Sequence, residues 1–362
     1  MRSAGWLAAA VVLATSACRS YFLADAPADA GASGLDAGAD TGGGRPPDAA
    51  PRPRSIYVYG GSPDGIALPL EPVALRAEIL EDGMLGTWQP APPTPGPMIW
   101  HSAVAGDGFV AMVGGIARPS GPNLRLFVGT VEDGGITGFT TSSPILPTPA
   151  YHAGALLRAG SLWVIGGQTG DDGPISADVS RARITATTQQ PVARVAALPA
   201  PLARMALVET ESDVYLVGGA DRNDATVAGI LHARVDGEGT LSAFAPAGSL
   251  GTGRRYLAAA VHGRSLLVVG GQAARDVASV LTCPLDASGA AGPCAETTPL
   301  PDVRSRHRVL VHDGRVYVVG GRGETDSRTV YVGAVDERGG VATWRATSAL
   351  PAPAIFNAVL LL

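Results

Sequence analysis

Six short apolar runs, each closed by a double glycine, recur along the chain at nearly constant spacing: IYVYGG, VAMVGG, LWVIGG, VYLVGG, LLVVGG and VYVVGG. Their first glycines are Gly60, Gly114, Gly166, Gly218, Gly270 and Gly320, at intervals of 54, 52, 52, 52 and 50 residues. A period of this size marks a supersecondary unit that cannot bury its own apolar face and must stack against copies of itself. Gly-Gly pairs also stand at Gly134-Gly135 and Gly339-Gly340, so the preceding apolar run and the constant interval carry the signal. An unbroken apolar run, rather than an alternating one, belongs to a strand covered on both faces. The 48 Gly and 29 Pro against 16% charged residues argue against helices and make all-β the expected class.

Each period holds more than one strand. Ahead of five of the pairs lies a lead-in punctuated by Pro or Gly: TPGPMIWH (94–101), LPTPAYHA (146–153), LPAPLARM (198–205), LGTGRRYL (250–257) and LPDVRSRH (300–307). After the pair comes a further strand such as TVYVGAVD (329–336), an Asp/Gly turn, and a fourth strand marked by Trp88, Phe139, Phe244 or Trp344. Four strands per period is the content of a propeller blade. An apolar run, Gly-Gly and a distal Trp or Phe at this period resemble the Kelch repeat over residues 55–362, and the resemblance implies a six-bladed Kelch-type β-propeller. The first repeat lacks its lead-in, whereas LPAPAIFNAVLLL (350–362) has a lead-in and a strand with nothing after them. The C-terminal segment is therefore expected to supply the innermost strand of blade one and close the ring, leaving no free sheet edge.

The N-terminal residues carry an expected address. Arg2 followed by the apolar stretch Trp6–Ala14 reads as an export signal, too short to span a bilayer. Thr15-Ser16-Ala17-Cys18 resembles the bacterial lipobox, with Thr15 where Leu is preferred; the resemblance implies lipidation at Cys18 and, with Arg19 next, an outer-membrane lipoprotein facing the periplasm or the cell surface. Ordinary cleavage near Ala17 is the alternative. Residues 19–54, rich in Ala, Asp, Gly and Pro, offer too little apolar surface to fold and are expected to act as a tether. As a flexible coil it would hold the domain on the order of 30 Å from the anchor.

With Cys18 acylated, Cys283 and Cys294 form an even set in an oxidising compartment and are expected to form a disulfide across the third and fourth strands of blade five. Two small buried thiols are the other reading. Two ligands are too few for structural zinc.

The start of a blade's first strand and the end of its second lie at the same end of a propeller. Aligning the lead-ins puts Trp100, His152, Arg204, Tyr256, Arg306 and Phe356 in one register, followed by His101, Ala153, Met205, Leu257, His307 and Asn357. Two readings fit the first column together with His101 and His307. One is a shallow funnel at the channel mouth, where Arg and flat rings bind an anionic or stacking ligand such as an acidic sugar. The other is packing between blades, with the arginines pairing to loop acids. Those acids, Asp171, Asp172, Asp221, Asp224, Asp276, Glu324 and Asp326, lack the spacing of a calcium loop and read as solvated turns.

Composition and motif tests narrow the chemistry. All 27 basic residues are Arg, which removes Schiff-base lysine chemistry and the P-loop lysine. A net charge of -5 without a basic run disfavours nucleic acid as a partner. The six His show no metal-ligand spacing, and no cofactor or metal is called for. A copper oxidase resembling galactose oxidase would need a Cys beside the channel, but both domain cysteines fall in an outer hairpin. A sialidase needs Asp boxes, and EDGMLGTW (81–88) has the wrong spacing. The expectation is a lipid-anchored, monomeric envelope propeller that binds or scaffolds a protein or a carbohydrate, with no residue assigned a catalytic role. The alternative is a carbohydrate-active enzyme similar to Kelch-type sialic-acid mutarotases, working at the same mouth.

Overall fold

The computed structural model describes residues 54–362 apart from 66, 68, 70, 118–120, 171 and 172. The export signal, Cys18 and residues 19–53 of the expected tether lie outside the described residues. Six four-stranded antiparallel sheets follow one another as blades, with a small three-stranded sheet of Met98–Ile99, Ile116–Ala117 and Gly121–Pro122 beside blade two. The apolar runs form the second strand of each blade: Ser55–Tyr59, Phe109–Val113, Ser161–Ile165, Asp213–Val217, Ser265–Val269 and Arg315–Val319.

These strands are buried on both faces because alternate side chains enter different blade interfaces. Ile56 and Val58 pack against blade six with Tyr317 and Val319, while Tyr57 and Tyr59 pack against blade two with Val110 and Met112. The core is thus six apolar layers, one between each pair of neighbouring blades, including the pair that joins six to one.

The ring is closed by the C-terminus as expected. Ala358–Leu361 pairs antiparallel with Ser55–Tyr59, from Ile56 opposite Leu361 to Tyr59 opposite Ala358, and is the innermost strand of blade one. Across the seam, the Trp88 indole donates to the Ser348 carbonyl at 2.9 Å and the Tyr317 hydroxyl to the Gly83 carbonyl at 2.9 Å. The distal Trp344 of blade six plays the same part on blade five, donating to the Thr298 carbonyl at 2.9 Å. Cys283 and Cys294 are disulfide-bonded, across a separation of 11 residues.

Candidate functional site at the channel mouth

The double glycines build the site. At each first glycine, a Cβ would lie 2.2–2.5 Å from a carbonyl of the next blade's lead-in: Met98, Ala150, Leu202, Arg254, Arg304 and Ala354 in turn. The second glycine donates its N–H to that same carbonyl, at 2.7–3.0 Å. Only glycine at a positive φ admits so close an approach. Every clamped carbonyl lies two residues before a member of the aligned column, so the repeat signature fixes where the column stands.

That column forms a ring around the axis. Trp100, His152, Arg204, Tyr256, Arg306 and Phe356 all have left-handed backbones, with φ of 60°, 52°, 58°, 55°, 60° and 63°. For residues with large side chains this conformation costs about 1–2 kcal/mol each and persists only where the surroundings impose it. Here a chain of backbone hydrogen bonds does so. The N–H of His152 donates to Trp100 at 3.0 Å, Arg204 to His152 at 3.1 Å, Tyr256 to Arg204 at 2.9 Å, Arg306 to Tyr256 at 2.8 Å and Phe356 to Arg306 at 3.0 Å.

The six side chains converge on the axis and form a floor between two hollows. The His152 ring lies 5.1 Å from Trp100, 5.0 Å from Phe356 and 5.6 Å from Tyr256. The Arg306 guanidinium covers Tyr256 at 4.4 Å from the ring centre, and that of Arg204 lies 5.7 Å from it. Above this floor is a mouth of about 360 Å³, bordered by the ring residues together with Asp64, Tyr151, Gln168 and Arg322. Below it is a channel hollow of about 170 Å³ between the inner strands.

One side of the mouth is polar and the other apolar. A belt runs from blade three to blade six: Gln168 Oε1 accepts from Arg204 at 2.8 Å, and Asp224 binds both Arg204 and Arg255. Arg255 donates to Gln272 Oε1 at 3.0 Å, and Gln272 donates to Asp276 at 3.0 Å. Asp276 in turn lies 3.4 Å from Arg306 and 3.7 Å from Arg322. Four arginines are thus gathered around two aspartates. Among the described residues, with Asp64 at the rim counted, these four arginines face three aspartates. Trp100, Tyr151, Ile355 and Phe356 form the apolar side.

The structure brings together Trp100, His152, Arg204, Tyr256, Arg306 and Phe356, and places His101 and His307 elsewhere. Those two are 1% and 0% exposed, packed behind the ring against Gly60 and Gly270. Asp224 and Asp276 are partners of the ring arginines, as the reading that paired those arginines to loop acids expects and the solvated-turn reading does not. Gln168, Gln272 and Arg322 were missed. Their signal is the residue after each double glycine, which bridges to the residue just before the ring member: Tyr151 with Gln168, Arg255 with Gln272, Ser305 with Arg322.

Burial sets the protonation of the histidines. Loss of hydration, and then the charges of Arg204, Arg308 and Arg306, hold His152 well below the usual imidazole range, so it enters the floor neutral. Burial and a neighbouring arginine push His101 and His307 down to about 3. A histidine of depressed pKa takes up a proton on unfolding, so stability present above pH 6.5 is lost as pH falls towards 3. The slope is about 1.4 kcal/mol per pH unit for each histidine. Glu209, pushed up to about 7 by burial, acts in the opposite direction between its unfolded value and pH 7, offsetting one histidine there. Urea unfolding at stepped pH should show midpoints falling below pH 6.5, and His307→Leu, which installs the residue of Leu257 in the same register, should flatten that fall. An unchanged pH profile in the variant would rule out this assignment.

The arrangement can bind. The Ser62 hydroxyl donates to Asp64 Oδ1 at 2.6 Å at the rim, and no cluster of three metal-ligating side chains occurs among the described residues. Comparison with known proteins agrees on the architecture. Residues 304–332 match the Kelch motif. This stretch contains ring residue Arg306 and the pair Gly320-Gly321, so the match falls on the elements that build the mouth. The solved structure of YjhT is similar to the chain, with a TM-score of 0.59 at 13% identity over 74% of this chain and 88% of that one. At that identity the likeness bears on the fold alone. No curated protein matches the chain. The architecture is a six-bladed Kelch-type propeller closed by its C-terminal strand.

Proposed function

We propose that this propeller is a binding module of the bacterial envelope, lipid-anchored through Cys18 and exposing its mouth to an anionic, ring-bearing ligand such as an acidic sugar. The observation that carries the ligand class is three arginines, Arg204, Arg306 and Arg322, bordering a 360 Å³ hollow that Trp100, Tyr151 and Phe356 also border, with Asp224, Asp276 and Arg255 paired to them outside its lining. A carboxylate can take bidentate hydrogen bonds from a guanidinium, while the flat face of a sugar ring rests on Tyr256, Phe356 or Trp100. A protein partner presenting an acidic side chain would use the same surface. The anchor rests on the lipobox resemblance and the leader composition.

Isomerase chemistry of the mutarotase kind needs an acid and a base converging on one reacting atom. Asp224 and Asp276 are each held by two arginines, and His152 is neutral and enclosed by rings, so binding is the reading the geometry favours.

The test is thermal unfolding of the full chain against a panel of neutral and acidic sugars. A ligand at 100 times its dissociation constant stabilises by about 2.7 kcal/mol. The expected result is that an acidic sugar stabilises the parent, that its neutral analogue does not, and that Arg204→Ala and Arg306→Ala each lose most of the shift. Equal shifts in the parent and both variants would remove the mouth from consideration.

A further inference from the structure

The register immediately beneath the floor holds Ser102, Gly154, Ala206, Ala258 and Ala358, five small residues, and one large cation, Arg308. Its guanidinium lines the 170 Å³ channel hollow. From blade six it reaches past the inner strand of blade one: Nη1 donates to the His307 carbonyl at 3.2 Å, and Nη2 points at the His101 carbonyl of blade two at 3.5 Å. Neither acceptor carries a charge. Among the described residues no carboxylate pairs with Arg308. The carboxylate that shares the hollow, Glu209, is taken by Arg158 at 3.2 Å. It also sits three residues further along the inner strands, an offset of about 10 Å in the strand direction.

A guanidinium has five N–H donors in a fixed fork, and a charge withdrawn from bulk water is costly without a counter-charge. The five small neighbours leave open space directly beside it. Nearby histidines do not add competing charge, since His101, His152 and His307 are all held neutral. Burial lowers Arg308 to about 10, which leaves it protonated at neutral pH.

We infer that the channel beneath the aromatic floor is a binding site for a small monovalent anion of halide size, held by the Arg308 guanidinium. A hollow of 170 Å³ has room for such an ion together with several waters. The floor separates this site from the mouth, so its occupancy does not depend on the mouth binding any ligand, and either site can fail without the other.

The experiment measures thermal midpoints of the full chain in sodium chloride and in sodium isethionate at matched ionic strength. Isethionate serves as the monovalent anion that is neither of halide size nor a sugar acid or ring-bearing ligand of the kind proposed for the mouth. The expected result is a midpoint a few degrees higher in chloride at concentrations a hundredfold above its dissociation constant, a difference abolished in Arg308→Gln and retained in Arg338→Gln, an exposed site. Equal midpoints in both salts for the parent, or an undiminished chloride effect in Arg308→Gln, would overturn the site. If Arg308→Gln does not fold, crystals of the parent grown in bromide decide the matter. An anomalous peak at the Arg308 guanidinium supports the site, and its absence there overturns it.

Discussion

Deletion of residues 353–362 should abolish cooperative folding of the propeller. The segment contains Ile355, Phe356, Val359, Leu360, Leu361 and Leu362, exposed by only 1–9%. At about 1.5–3 kcal/mol for each fully buried large apolar side chain, their loss amounts to roughly 10 kcal/mol or more, comparable with the whole stability of a domain. The deletion also strips Ser55–Tyr59 of its inner partner and exposes a sheet edge to the channel. The measurement is urea unfolding followed by far-UV circular dichroism and tryptophan fluorescence. The expected profile is broad and non-cooperative, with cooperativity regained on adding the missing segment as a peptide. A truncated protein that unfolds in one transition at the parent's midpoint would show that this strand does not close the ring.

The second large effect belongs to the glycine clamp. Gly166→Ala should destabilise by more than about 3 kcal/mol, because two costs combine. An Ala at φ of 60° bears the left-handed penalty of about 1–2 kcal/mol, and its Cβ would sit 2.2 Å from the Leu202 carbonyl, a backbone atom that can retreat only by moving the lead-in of blade four. The control is Gly108→Ala, at φ of 74° with no atom near its added Cβ, which should cost only the backbone penalty. Chemical denaturation of both variants gives the comparison. Similar losses at the two sites would mean that close approach of the lead-in is not what the double glycine provides.

The ring was legible in the sequence because its position is set by backbone, and backbone requirements leave periodic glycines. A nearly constant interval between Gly60, Gly114, Gly166, Gly218, Gly270 and Gly320, with the lead-ins aligned on one another, was enough to bring Trp100 through Phe356 into one register and to place the closing strand within 350–362, where the structure has it at Ala358–Leu361. Alternation along the inner strand was harder to use. The lead-in turns through a left-handed residue, so the next position swings behind the ring, and the same step that aimed His152 at the axis buried His307 against Gly270. The ion pairs were legible only in part: Asp224 and Asp276 each stand six residues after the first glycine of their pair, Gly218 and Gly270, and pairing of the arginines to loop acids is one of the two readings of the column, but an acid at that station reads equally well as a solvated turn. Arg308 gave no signal because its column is small in every other blade, and a column of Ser, Gly and Ala stands out only once the space beside it is known.

The backbone ring has an implication for how this site can change. Its geometry is imposed by glycines in one blade and carbonyls in the next, and the hydrogen bonds that link ring members use main-chain atoms alone. None of the six side chains is needed to keep its own position in place. A sequence could therefore exchange an arginine for a tyrosine or a histidine at any of the six stations while the blades stack unchanged. The mount is set by backbone, while the side chains on it touch one another, so exchanges at neighbouring stations would be coupled.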